Sequence, residues 1–520
     1  MAVFGKNILE NLTTGMYSDS RVMYREYVQN SCDAIDTAVK MEIISREETS
    51  VDISIDAVKC EIYIRDNGIG IRKEDFVRVL SDIANSDKKR AVDKGFRGIG
   101  RLCGLAYCNE LKFISAAVGE DVASVMMWNA HKMRTMLNDD RKHTADEVLD
   151  AIMSFSTKPA EIEEHYFEVV MTGVTSAVLL DKENIRDYLS FEIPVPYHTR
   201  FMFYDQIYNH AKSLGLHIDE YKVFVNAEQL FKGYTTRIYS GGKVHDDIKD
   251  IEFQDFYDEN ERIIAWMWFG LSSLNGQIKA LGNLQRGIRL RKGNIQVGES
   301  STIRRLFKDS RGNEYFIGEV FAIHPDLILN ARRDYFNENA IRDVFEEKLR
   351  DFFDYLWKLC NVASDERSAY KSIRDYRESV ATFTEKVKTG FTGGVDRETM
   401  QTALEEKRQR AEKAQKTLRK SQSTEDDETT NRLKDIVRVA ETKQTPTEHL
   451  KPLPDIPTDT SVQKGVKKEK PKFITDELSQ YTKETRRVVG RIYDLINQNA
   501  PTIAQELIFK IHEGLKSVKE

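Results

Sequence analysis

Three short stretches between Glu26 and Gly100 hold the residues best suited to chemistry. In RDNGIGI (Arg65–Ile71) an Asp ends a strand pattern and two glycines follow. That pattern is a common turn. It also places Asp66 where a carboxylate can accept a hydrogen bond from an exocyclic amine. Gly68 and Gly70 would let backbone approach a flat ring with no Cβ in the way. GFRGIG (Gly95–Gly100) opens the next segment. Amides of a glycine-rich turn at a helix start form an anion cradle suited to phosphates. The spacing is GxxGxG, not the dinucleotide GxGxxG, and no Walker GKS or GKT follows. In EYVQNSCDAID, Glu26, Asn30 and Asp33 stand at i, i+4 and i+7 and share one helix face. Taken alone, a polar stripe on an amphipathic helix is its wet side.

The elements around these stretches follow from periodicity. Ser20 to Met41 reads as one helix, with Val22, Met23, Tyr27, Ala34, Ile35 and Ala38 recurring at spacings near three and four. VDISIDA and CEIYIRD alternate with period two and predict a strand pair. Residues 74–85 predict a helix, SDKKRAVDKGFRGIGR a loop, and Leu111–Ala117 and Tyr166–Met171 further strands. From Phe201 to Ala363, AWMWFGL, RGIRLRKGNIQVG and EYFIGEVFAIH are strand-like, and IRDVFEEKLRDFFDYLWKLC closes the region as an amphipathic helix. The run Arg286, Arg289, Arg291, Lys292 is either a polyanion contact or alternating charge on an exposed strand face. Arg397–Lys420 suits an exposed helix or coiled coil. Residues 421–470 read as a flexible linker, since five of the 10 prolines fall between Pro446 and Pro471. Residues 471–520 read as two helices split by Pro501, too short to bury much alone and so expected to pair with another chain or dock back.

Composition bounds the class. The 520 residues carry 78 Lys+Arg against 84 Asp+Glu, a net charge of −6, which does not suggest bulk coating of nucleic acid. With 40% hydrophobic and 31% charged residues, several large cores are expected on a solvated surface. No apolar run approaches the roughly 20 residues of a membrane span, and the amino terminus does not read as a secretory signal. Five scattered cysteines with no CxxC pair argue against a disulfide framework or zinc site and fit a cytoplasmic setting.

Together and in this order, the three motifs resemble the GHKL ATPases: type II topoisomerase ATPase subunits, MutL, MORC proteins, histidine kinases and heat-shock protein 90. MYSDSRVMYREYVQNSCDAID and IRKEDFVRVLSDIANSD look most like the heat-shock protein 90 (HtpG-like) family, over about residues 8–120. The resemblance implies an α/β (α+β sandwich) fold: a Bergerat ATP-binding domain over 1–200, an α/β transducer or middle domain over 201–365, then a helical carboxy-terminal region. It implies ATP and Mg²⁺ as ligands. Glu26 would activate the attacking water, Asn30 would coordinate the metal, and Asp33 and Ala34 would line the pocket. Asp66 would read the adenine amine beside Gly68 and Gly70. Gly95, Arg97, Gly98, Ile99 and Gly100 would hold the phosphates and hinge a lid of about residues 81–100. DLILNARRDYF resembles the chaperone middle-domain segment whose Arg reaches the γ-phosphate, which points to Arg333 beside Arg332; the plainer reading is an exposed arginine at a helix start.

Three features depart from that pattern. The family's late Gly-Thr dipeptide has no clean match near HYFEVVM, with Thr172 and Thr175 the nearest hydroxyls. Asn85 stands where a basic lid residue is expected, with Lys88 and Lys89 nearby. Beyond residue 365 the resemblance ends. The expectation is an ATP-hydrolysing conformational machine like those chaperones, with lid closure, amino-terminal association in a homodimer, and a protein client. The alternative is a MORC- or MutL-like clamp on DNA. A module that holds ATP without turnover is disfavoured by Glu26, and a histidine kinase by the missing phosphoacceptor helix.

Overall fold

The computed structural model describes residues 5–13, 19–81, 100–330, 332–442, 451–457 and 471–518. The chain divides into two compact units, Met1–Lys358 and Leu359–Glu520.

In the first unit an eight-stranded sheet runs in the order β5-β4-β3-β6-β2-β1-β7-β8. Its strands are β1 (Val51–Asp56), β2 (Glu61–Asp66), β3 (Glu110–Ala116), β4 (Val122–Asn129), β5 (Met153–Pro159), β6 (Tyr166–Thr172), β7 (Val223–Val225) and β8 (Glu228–Gln229). All neighbours are antiparallel except β1 and β7. β1 alternates buried and exposed residues along its length, the mark of a sheet with one covered face. Ile53, Ile62, Ile64, Leu111, Phe113, Trp128, Val169 and Met171 form that face. Helices α1 (Asn7–Thr13), α2 (Val22–Lys40), α3 (Lys73–Ser81), α4 (Ala130–Asn138), α5 (Ala145–Ile152), α6 (Ala177–Leu180) and α7 (Lys182–Glu192) accompany it. α2 contributes Met23, Tyr24, Tyr27, Val28, Cys32 and Ile35 to the same core, as its 3.6-residue pattern predicts. It stops at Met41, whose N–H bonds the Thr37 carbonyl, and Glu42 turns the chain away at φ 57°.

After α8 (Tyr204–Ser213) and a ribbon of β9 (Arg237–Ser240) and β10 (Lys243–Asp247), a second sheet follows in the order β11-β12-β15-β13-β14. Its strands are β11 (Asp250–Tyr257), β12 (Ile263–Leu271), β13 (Gly287–Lys292), β14 (Ile295–Gln296) and β15 (Ile317–Ala322). β13 lies parallel to β15 inside the sheet and is buried along nearly its whole length. This overturns both sequence readings of the basic run. Arg289 is buried and Arg291 is 0% exposed, so neither offers charge to a polyanion or to solvent. Alternation predicts an exposed face only when one face of a strand is wet, and β13 is covered on both.

Arg291 instead completes a buried ionic cluster. Its Nε donates to Glu319 at 2.7 Å. Lys232 Nζ donates to the two oxygens of Glu319 at 2.9 and 2.8 Å and to Asn294 Oδ1 at 2.7 Å. The Tyr197 hydroxyl donates to Glu319 and accepts from Trp268 Nε1 at 3.0 Å. Burial alone would raise the Glu319 carboxyl, but Arg291 and Lys232 outweigh it and hold the group at about 2.

The dividing point of the two units falls within helix α9 (Ala340–Thr389). In the second unit, Tyr370, Ile373, Tyr376 and Phe383 pack on Leu404, Ala411 and Leu418 of α10 (Gly394–Ser423). The two helices run as an antiparallel hairpin, with Lys407 bonded to Ser379 and Ser421 to Glu366. Residues 428–442, read from sequence as linker, form a helix, α11 (Glu428–Thr442). Asp427 caps it by accepting from Thr430 N at 3.0 Å, and Leu433 and Val437 are buried. Two apolar anchors in a polar stretch were too few to show as a period. The remaining positions of 421–470 outside the described set are 443–450 and 458–470. The last two helices, α12 (Lys483–Asn499) and α13 (Ala504–Ser517), flank Pro501 and bury Val489 and Tyr493 against Ala504 and Ile508.

Glu319→Gln should destabilise the fold by about 3–5 kcal/mol, because it leaves two buried cations without a counter-charge; denaturant unfolding measures the loss. The folded value of Glu319 lies below its ordinary 4.5, so its contribution is complete above that pH and fades as pH falls toward about 2. The variant should accordingly be less acid-sensitive than wild type.

Candidate functional site

The polar face of α2 is not its wet side. Glu26 is 6% exposed and Asp33 is also buried, while Asn30 is half-buried. Glu26 Oε1 is buried without a hydrogen-bond partner. Two guanidinium groups approach it without bonding: Arg25 Nη2 at 3.7 Å and Arg333 Nη1 at 3.9 Å. Arg333 is 7% exposed and sits at φ 57° in a turn, whereas Arg332 is exposed. Helix α9 starts only at Ala340, so Arg333 is not an exposed helix-start residue.

Asp66 ends β2 at 2% exposure, and its Oδ1 accepts from Gly68 N at 2.9 Å. Ile69 N donates to Ala34 O at 3.2 Å, which ties this loop to α2. Gly68 lies so close that a Cβ would stand 2.7 Å from the Ala34 backbone. Gly70, at φ +69°, faces the Ala116 carbonyl. Ala34 of α2 thus packs against the Asp66 loop at Gly68 and Ile69, and Glu26, Asn30 and Asp33 lie on the same helix.

Gly100 joins them from the start of a 3₁₀ segment (Gly100–Ala106). A Cβ there would lie 2.5 Å from Glu26 Oε2. Tyr27 secures that segment, donating to Arg101 O at 3.0 Å and accepting from Gly104 N at 3.1 Å. Gly95, Arg97, Gly98, Ile99 and the lid residues Asn85, Lys88 and Lys89 lie outside the described residues.

Neither threonine approaches Asp66. Thr172 pairs opposite Glu61 at the other end of β2, and Thr175 Oγ1 bonds Tyr107 O. Phe167 holds the register position opposite Asp66. Sequence reasoning missed His165, whose Nδ1 lies 2.9 Å from Gly68 O. A single histidine before a strand gave no signal of that contact. It also missed Arg25 and Glu192, whose Nη1 and Oε2 are 3.4 Å apart. Burial raises the Glu192 carboxyl above the ordinary range against the pull of Arg25, Arg289 and Arg291.

The sequence profile described as histidine kinase-, DNA gyrase B- and HSP90-like ATPase matches residues 17–157, which span α2, the Asp66 loop and Gly100. Those residues are a GHKL-type ATPase domain. The chaperone protein HtpG of Buchnera aphidicola is 36% identical over 91 residues, covering 16% of this chain and 14% of that one. HtpG of Orientia tsutsugamushi is 27% identical over 133 residues, 22% of this chain and 21% of that one. An endoplasmin homolog of Leishmania donovani is 28% identical over 107 residues, 19% of this chain and 14% of that one. The chain thus spans about a fifth or less of the length of these relatives. The likeness is to the GHKL domain of such proteins, and it places this chain's domain near the HtpG group.

Two glycines of the GHKL domain separate backbone strain from steric clash. Gly119 has φ +89° with nothing within 4 Å of a built Cβ, whereas Gly70 would place its Cβ 1.9 Å from Ala116 O. Gly119→Ala should cost about 1 kcal/mol, the strain of a left-handed residue. Gly70→Ala should cost roughly 1–3 kcal/mol more, as overpacking does. Calorimetric unfolding of the two variants compares them.

Proposed function

We propose that this protein binds and hydrolyses ATP with Mg²⁺, and that lid closure and association of two copies accompany the cycle, as in a chaperone-like machine acting on protein partners in the cytoplasm. The observation that carries the reading is Glu26: a buried carboxylate oxygen without a hydrogen bond, flanked by Arg333 at 3.9 Å. A buried acceptor in that state suits a water molecule that must be oriented and deprotonated.

On this reading Asp66 accepts from the adenine amine, and Gly68 and Gly70 let the ring lie against backbone. Glu26 takes a proton from water as the water oxygen bonds to the γ-phosphorus. The bond from phosphorus to the β–γ bridging oxygen breaks, and ADP leaves with that electron pair. Arg333 stabilises charge on the transferring phosphoryl group. Magnesium would supply charge neutralisation on the phosphates. Among the described residues no group of three or more His, Cys, Asp or Glu could hold a metal, so the ion would rest on Asn30 with phosphate and water oxygens, the habit of magnesium. At Glu26 itself two guanidinium groups, Arg25 and Arg333, approach one carboxylate.

Association is expected through the tail, where Val488, Ile492 and Leu495 stand exposed at helical spacing on α12. The DNA-clamp reading loses the support of Arg289 and Arg291, which are inside the second sheet. Among the described residues no helix is long and apolar enough to cross a membrane.

Magnesium-dependent turnover by wild type and Glu26→Gln, with and without DNA, is the first test. The variant should bind ATP and lose about 10²- to 10⁴-fold in kcat, the usual span for a general base. DNA stimulation would favour the clamp. Asp66→Asn should weaken ATP binding about 10- to 150-fold, as loss of a charged hydrogen bond predicts; unchanged calorimetric affinity would sink the adenine assignment. Ile492→Lys should shift a dimer to monomer by light scattering.

A further inference from the structure

Glu26 and Arg333 belong to a closed polar circuit that runs through the second sheet. Arg25 Nη1 faces Glu192 Oε2 at 3.4 Å, at the end of α7. The Gln296 amide of β14 donates to Glu192 Oε1 and, at 3.2 Å, to Gly298 O. Gly298 N donates to Arg333 O at 3.0 Å. Arg333 Nη1 returns to Glu26 Oε1 at 3.9 Å, and Arg25 Nη2 reaches the same oxygen at 3.7 Å. Gln296 is 2% exposed, and its own oxygen accepts from Arg289 Nη1 at 2.7 Å. One amide thus touches both branches that end on the proposed base.

We propose that Glu192 and Gln296 are positioning residues that hold Arg25 off the Glu26 carboxylate while fixing the Arg333 turn beside it. The inference rests on the ATPase reading given above. Its physical basis is competition. Arg25 lies near two carboxylates, Glu26 at 3.7 Å and Glu192 at 3.4 Å, with Asp19 attracting it from farther off, and in a dry site it closes on whichever attracts it more. Glu192, anchored by Gln296, draws the guanidinium to one side. Without that pull Arg25 closes on Glu26, pairs with it bidentately, and leaves it a weaker base. Among the described residues, the groups facing Glu26 are Arg25 from its own helix, Arg333 from the turn before α9 and Cys103 from the segment after Gly100. Burial pushes the Cys103 thiol far up, so it stays protonated.

Glu192→Gln keeps the shape and the oxygen that Gln296 bonds, and removes only the charge. In the full chain it should lower kcat at least ten-fold with KM for ATP within two-fold. The acid limb of the kcat–pH profile should move down by about one unit, as a closer cation depresses a carboxyl. Gln296→Met should lower kcat in the same way. A merely structural role would leave the acid limb in place, and unchanged kcat and profile in folded Glu192→Gln would overturn the proposal. A crystal structure of that variant gives a reading independent of turnover. Arg25 within hydrogen-bond distance of Glu26 supports the proposal, and Arg25 at its present separation overturns it. If wild type does not hydrolyse ATP, the ATPase reading fails and the structural comparison alone decides the positioning role.

Discussion

A carboxylate oxygen buried without a hydrogen bond costs on the order of 1–3 kcal/mol or more to maintain, and Glu26 Oε1 is held in that state. The surroundings of α2 explain how. The helix cannot shift Glu26 toward water, because Met23, Tyr24, Tyr27 and Val28 bind the same turns into the core. Gly100 leaves room for the other oxygen where any Cβ would collide with it. Arg25 and Arg333 offset the charge from distances too long for hydrogen bonding. The site tolerates the carboxylate while leaving Oε1 unused as an acceptor, which is the condition the water of the proposed reaction would require.

The second sheet supplies what the first cannot. Its β13–β15 layer hides three charged groups, Lys232, Arg291 and Glu319, at 0% side-chain exposure. Such clusters are no cheaper than an apolar core, and their recognised use is to fix one arrangement over others. Here the fixed arrangement includes β14, since Asn294, one step from its first residue, accepts from Lys232. Gln296 then stands at a defined place beside Glu192. The ionic cluster and the polar circuit are consecutive along the chain, so register in the sheet becomes geometry at Glu26.

What could be read from sequence was what is local. α2, the β1–β2 pair and the Asp66 turn each declare themselves within about a dozen residues, by period or by glycine placement. Arg289 and Arg291 were misread because alternation carries no information on whether a strand is covered on one side or two. Glu192 and Gln296 are 104 residues apart, and no pattern in either neighbourhood announces the pairing. His165 was invisible for the same reason. α11 was missed because two buried apolar residues in 15 are drowned by a polar composition.

This division between local and distant has a functional counterpart. The groups assigned to the adenine, Asp66, Gly68 and Gly70, lie in one turn and are braced by Ala34 of α2, Ala116 at the end of β3 and His165 just before β6. The groups assigned to bond cleavage are assembled from α2, α7, β14 and the Arg333 turn, which come from four separate parts of the chain. On the proposed reading, recognition of the base would depend on a local loop, whereas the geometry around Glu26 depends on how the second sheet is seated. A domain built this way can hold nucleotide with its cleavage residues out of register. On the proposed reading, whatever moves β14 or the Arg333 turn would change turnover before it changes affinity, which is the property an ATP-driven machine needs if its partners are to control the cycle.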